Sequence, residues 1–152
     1  VTYEDETVID TMNILQATLH SMHNSLKEVL TKVDPSMTHV VVDGNIFKPY
    51  TYYTTSIQII PHTCIEKGDD QYAAIAAASI LAKVSRDDYI EELCAEHPYL
   101  DEHYGLIKNK GYGTSQHMKG IRQHGITPWH RKSFAPCKDG FSFQDNEPAV
   151  HP

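Results

Sequence analysis

Val40-Val41-Val42-Asp43-Gly44 is the stretch on which the reading of the fold turns. Three consecutive β-branched residues favour extended backbone, and a run apolar on both alternating faces is expected of a strand covered on both sides by helices. A carboxylate closes the run and Gly44 releases the backbone after it. A charge left unpaired at the end of an apolar strand is costly. A metal site, a buried ion pair or a plain Asp-Gly turn would each account for it. Ligands of open α/β sheets gather at the carboxyl ends of strands, which makes Asp43 a candidate site residue.

On the N-terminal side, Ile9, Met12, Leu15, Leu19, Met22, Leu26 and Val29 recur at three- to four-residue steps. This predicts one amphipathic helix, opened by Thr7 with Asp10 three residues on and stopped at Asp34-Pro35. On the C-terminal side, a second strand is expected from Ser56 to Ile60, after a loop dense in aromatics at 47–53. Lys67-Gly68-Asp69-Asp70 reads as a turn before a helix from about Gln71 to about Glu96. Asp69 is either the cap of that helix or a second site carboxylate. The helix begins rich in small residues, which permits close approach to a sheet or another helix, and ends charged and solvated. Thr114 predicts a helix from Ser115 to about His124, closed by Gly125.

The chain has 152 residues, 40% of them hydrophobic, enough for one α/β domain with its own core. That domain is expected over 1–137, with a polar, flexible tail over 138–152. Net charge is −7, from 13 Lys+Arg against 20 Asp+Glu. Bulk charge of that sign excludes nucleic-acid binding by global attraction, so any such role needs a local basic face. Lys108, Lys110, Lys119, Arg122, Arg131 and Lys132 supply one, interleaved with Tyr112, Trp129, His117, His124 and His130. The ten histidines are expected to add positive charge as pH falls. The glycine-punctuated Lys108–Thr114 loop is expected to offer backbone N–H groups to phosphates, and its tyrosine a stacking face. The three cysteines, Cys64, Cys94 and Cys137, have no paired spacing and read as reduced thiols of a cytoplasmic protein. No apolar run approaches the ~20 residues of a membrane span.

Several blocks fall in an order that resembles ribonuclease HII. They are Ile9-Asp10-x-x-Asn13-Ile14-Leu15-x-Ala17-Thr18, Val42-Asp43-Gly44-Asn45, Lys67-Gly68-Asp69, the run from Ile75 to Asp87, Asn109-Lys110-Gly111-Tyr112-Gly113-Thr114-x-x-His117, and His130-Arg131-x-Ser133-Phe134. The resemblance is closest to members of the Bacteroidetes type. It implies an RNase H-like mixed sheet flanked by helices, with a C-terminal helical segment. It implies an endonuclease that cuts the RNA strand of RNA–DNA hybrids, and 5′ of ribonucleotides embedded in duplex DNA, by two-metal hydrolysis with Mg²⁺ or Mn²⁺. Asp43 and Asp69 match two of the family's four metal carboxylates, and Tyr112 the tyrosine that packs on the junction sugar. Lys83, Lys110, Gly111, Thr114, Arg131 and Ser133 would lie along the nucleic acid. The expected state is a monomer.

The family's opening Asp-Glu-x-Gly-Arg-Gly motif, which holds its first two carboxylates, has no match here. Asp5-Glu6 reads instead as a helix-start pair. The chain therefore resembles the C-terminal two-thirds of the family, with the opening strands of the sheet expected to be missing and the piece alone expected to be poorly folded or weakly active. The alternatives are a nucleic-acid-binding fragment without catalysis, and a small α/β interaction domain whose acidic surface meets a basic partner.

Overall fold

The structure is a computed structural model, and residues 1–139 are described. Its elements make a mixed α/β protein, in two compact units. The segment expected as a tail, 138–152, lies outside the described residues from 140 onward.

The first unit takes in Val1–Glu4 and Ile14–Arg86. Strand β1 (Val40–Asp43) pairs in parallel with β4 (His62–Ile65), Val40 opposite His62 and Asp43 opposite Ile65. Parallel neighbours need a crossover, and here it is a hairpin of β2 (Thr51–Tyr53) and β3 (Ile57–Ile59) rather than a helix. The aromatic stretch expected to be a loop is thus partly strand. β4 was not legible, because His62-Thr63-Cys64-Ile65 lacks both alternation and an apolar run. The expectation that β1 is buried on both faces fails: Val42 is buried but Val41 is 40% exposed. The cause is the small sheet, in which β1 has β4 as its partner and no second layer covers Val41 among the described residues.

The expected single N-terminal helix is two, α1 (Glu6–Met12) and α2 (Ile14–Leu30). Asn13, at φ 71°, breaks them apart. The cap of α1 is Asp5, not Thr7: its carboxylate accepts the Val8 N–H at 2.8 Å. A carboxylate there suits the positive end of the helix dipole, as read for Asp5-Glu6. Within the first unit α2 buries Ala17 and Leu19, and His23 binds the Lys48 carbonyl at 2.8 Å, its ring edge-on to Phe47 and Tyr50.

Lys67 adopts left-handed backbone and starts a short helix α3 (Gly68–Gln71) before α4 (Ala73–Glu96). Asp69 therefore stands inside a helical turn and is not the cap of α4. The small-residue half of α4 is not closely packed either: Ala73, Ala74, Ala77 and Ala78 are exposed, while Ile75 is buried in the first unit.

The second unit takes in Asp5–Asn13 and the chain from Asp87 onward. Helices α5 (Tyr99–Tyr104), α6 (Leu106–Asn109) and α7 (Ser115–His124) join the end of α4 around Leu93, Cys94, Leu100, Tyr104, Leu106, Ile121 and Ile126. The α7 boundaries are those expected, with Thr114 as cap and Gly125 as stop. Gly120 lets α7 press onto α5, since a Cβ there would stand 2.3 Å from the His103 carbonyl oxygen. The Tyr104 hydroxyl, held up at about 12 by burial, donates to the Gly125 carbonyl at 3.1 Å.

Candidate functional site

In the first unit, parallel pairing brings the carboxyl ends of β1 and β4 to the same edge, and the chain leaving β4 turns back over it. Asp43 ends β1, and its Oδ1 accepts the Gly68 N–H at 2.8 Å. Gly68 directly precedes Asp69, so the fold brings the backbone leading into Asp69 to the end of β1 although 25 residues separate Asp43 from Gly68. A charge-assisted hydrogen bond of this kind contributes about 1–2 kcal/mol and fixes the turn that carries Asp69. Gly68 is buried, and a Cβ on it would meet Ile75 Cδ1 at 2.7 Å and Asp43 Oδ1 at 3.6 Å, so the turn sits tightly over the strand end. Asp43 and Asp69 are both exposed, and Asp69 Oδ1 accepts the Asp70 N–H at 3.1 Å. Two exposed carboxylates are a hard-oxygen donor set of the kind Mg²⁺ takes while keeping several waters. Among the described residues no group of three or more His, Cys, Asp or Glu side chains gathers to hold a metal ion. Lys83 lies exposed on α4.

In the second unit, the loop expected to offer its amides to phosphate uses four of them internally. Lys110 N–H donates to Leu106 O, Gly111 N–H to Asn109 Oδ1, Tyr112 N–H to Asn109 O and Thr114 N–H to Tyr112 O, at 2.8–2.9 Å. That correction follows from the tight left-handed turn at Lys110 and Gly111, which folds the loop onto Asn109. The Lys110 ammonium is 2.6 Å from Glu91 Oε1. Tyr112 presents its ring outward, 71% exposed. The Thr114 hydroxyl accepts the His117 N–H.

Further along, Arg131 lays its guanidinium over the Phe134 ring, 3.9 Å from the centroid. The N–H groups of Lys132 and Ser133 donate to Asp10 at 2.7 and 2.9 Å, and the Ser133 hydroxyl to Asp10 at 2.5 Å. Slight burial raises the Asp10 carboxyl, but these bonds and the Lys132 charge outweigh it and hold it below the usual carboxylate range. The Thr7–Asp10 spacing predicts Asp10 as half of a capping box. Its actual role spans the whole unit, and no local spacing signals it.

Two of the ten histidines, His117 and His130, resist the positive charge expected as pH falls. Burial pushes His117 down, aided by the Arg131 charge and opposed by a bond to the Tyr112 backbone. Burial and then His117 push His130 down to about 4. Cys64, Cys94 and Cys137 are free thiols, those of Cys94 and Cys137 raised chiefly by burial. Among the described residues no helix is long and apolar enough to cross a membrane.

A parallel strand pair in which β1 ends on a carboxylate, within a helix-rich mixed α/β chain, is consistent with an RNase H-like fold. The family model described as Ribonuclease HII matches residues 1–137, and the chain belongs to that family. It is 48% identical over 131 residues to the Ribonuclease HII of Christiangramia forsetii, covering 86% of this chain and 59% of the relative. It is 48% identical over 126 residues to that of Parabacteroides distasonis, covering 83% and 56%. It is 44% identical over 132 residues to that of Bacteroides thetaiotaomicron, covering 87% and 58%. The chain thus spans a little under six-tenths of the length of these curated relatives.

Proposed function

We propose that this chain serves a metal-dependent endonuclease that cuts the RNA strand of RNA–DNA hybrids and cuts 5′ of ribonucleotides embedded in duplex DNA. The observation that supports the reading is the hydrogen bond from Gly68 to Asp43, which ties the turn leading into Asp69 to the end of β1. Those two carboxylates would hold Mg²⁺ or Mn²⁺, the hard cations that oxygen donors suit. When bound, such a cation supplies Lewis acidity and an activated water at a phosphodiester. Asp43 and Asp69 orient the site and balance its charge. Tyr112 offers a ring face to the sugar at an RNA–DNA junction, where the 2′-OH distinguishes RNA from DNA. Lys83, Lys110, Thr114, Arg131 and Ser133 are the residues we assign to the nucleic-acid backbone, with Gly111 shaping the turn that carries Tyr112, in a monomer acting in the cytoplasm. The domain that does this is residues 1–137.

A second reading is binding without cleavage, favoured by the absence, among the described residues, of any group of three or more His, Cys, Asp or Glu side chains placed to hold a metal ion. Incubating the chain with a duplex carrying one ribonucleotide separates the two. Slow cleavage is expected, since two carboxylates hold divalent cations less tightly than four. It should stop in EDTA, return with Mg²⁺, and fall at least about a hundredfold in Asp43→Asn, because even partners of metal ligands cost ten- to a hundredfold. Binding of the hybrid with no cleavage at all would leave only the second reading. Failure to bind it would remove both.

A further inference from the structure

The buried pair His117 and His130 is not used by the reading above, and its proton arrangement can be deduced link by link. The Thr127 backbone N–H can only donate, and it points at His130 Nδ1 from 3.0 Å. Nδ1 therefore accepts, and the one proton of a neutral imidazole stands on His130 Nε2. That atom is 3.1 Å from His117 Nε2, which must then be bare. The His117 proton is left on Nδ1, 3.1 Å from the Tyr112 carbonyl oxygen, which can only accept. Every link has one donor and one acceptor, and reversing any of them sets two donors or two acceptors face to face. The Thr127 hydroxyl, 2.8 Å from His130 Nδ1, can donate to the same atom.

We propose that His130 and His117 are positioning residues: a directed hydrogen-bond relay from the Thr127 amide to the Tyr112 carbonyl holds the Gly111-Tyr112-Gly113 turn so that the exposed Tyr112 ring is presented to nucleic acid. This rests on the assignment of Tyr112 made above. The Tyr112 carbonyl also accepts the Thr114 N–H at 2.8 Å, so the relay fixes the loop at the residue whose ring is offered and at the cap of α7. A second proton on either ring breaks a link, by facing Thr127 N–H at His130 Nδ1 or His130 Nε2–H at His117 Nε2. The surroundings oppose that proton. The Tyr104 ring packs against both imidazoles, with centroids 6.0 Å from His117 and 5.0 Å from His130, and the Arg131 charge disfavours a cation at His117.

Two substitutions at one position separate the relay from mere packing. His117→Asn keeps a donor where Nδ1 stands and so keeps the Tyr112 link. His117→Gln keeps a polar atom where Nε2 stands and loses it. Amide exchange at Thr114 should accelerate about tenfold in His117→Gln and stay near the parent rate in His117→Asn, as expected for loss of one buried hydrogen bond of about 1.4 kcal/mol. Affinity for an RNA–DNA hybrid should fall in the same order. Imidazole ¹⁵N spectra of the parent chain at pH 7 should show the proton on Nδ1 of His117 and on Nε2 of His130. Equal exchange in the two variants, or Nε2–H on both rings, would overturn the relay. A Tyr112→Ala chain that binds hybrid as tightly as the parent, while spectra and exchange come out as expected, would instead remove the assignment of Tyr112 and leave the relay standing.

Discussion

His130 is neutral where an exposed histidine would share a proton with water, and this has a cost that pH reveals. Unfolded, the ring titrates at its ordinary 6.5; folded, it titrates at about 4. Between those values the unfolded chain binds more protons, so stability rises with pH across the window and is lost as pH falls toward 4. His117 shifts in the same direction. The expected contribution is on the order of 3 kcal/mol, read as the difference in urea midpoints between the parent and His130→Asn from pH 4 to pH 7. A difference that does not change with pH would show that the ring is not buried neutral. Asp10 runs the other way: its depressed carboxyl stabilises above the unfolded value, and the benefit goes as pH falls through the folded one. Replacing it with Ala should cost about 1 kcal/mol and speed amide exchange at Lys132 and Ser133 several-fold. Neither role was legible in the sequence. The blocks that hold Asp10, His117 and His130 could be recognised, but a partner 123 residues away leaves no periodic trace.

At the scale of elements, helix ends were read best where a side chain caps its own helix. Thr114 and Gly125 bound α7 as expected, because capping needs only neighbours three or four residues away. The break at Asn13 was missed because the apolar stripe runs across it unbroken, so periodicity alone sees one helix. β4 and β2 carry little strand signal in the sequence, because strands this short draw their stability from pairing rather than composition. The α5 and α7 contact turns on Gly120, which lacks any periodic signal. Gly120→Ala should destabilise the second unit by about 3 kcal/mol, since its methyl would meet backbone rather than a movable side chain. Thermal unfolding followed by the near-ultraviolet signal of Trp129 would measure it, and a change below about 1 kcal/mol would mean the helices can part at little cost.

For the whole molecule, an overall charge of −7 and a nuclease assignment are reconciled by keeping each function local. Asp43, at a strand edge of one unit, accepts the N–H of the residue before Asp69, and the exposed Tyr112 with the buried His117 and His130 belongs to the other. The carboxylate pair was legible as two separate candidates, each with a bland alternative. What relates their positions is the parallel pairing of β1 with β4 and the bond from Gly68 to Asp43, both long-range facts. The central claim is that Asp43 and Asp69 together hold a divalent cation. Titrating Mn²⁺ into the ¹⁵N-labelled chain tests it most directly, because the paramagnetic ion broadens the amides nearest its site. Broadening should come first at Asp43–Gly44 and Gly68–Asp70, and disappear in Asp43→Asn while the rest of the spectrum stays in place. Early broadening elsewhere, with those amides untouched, would contradict it.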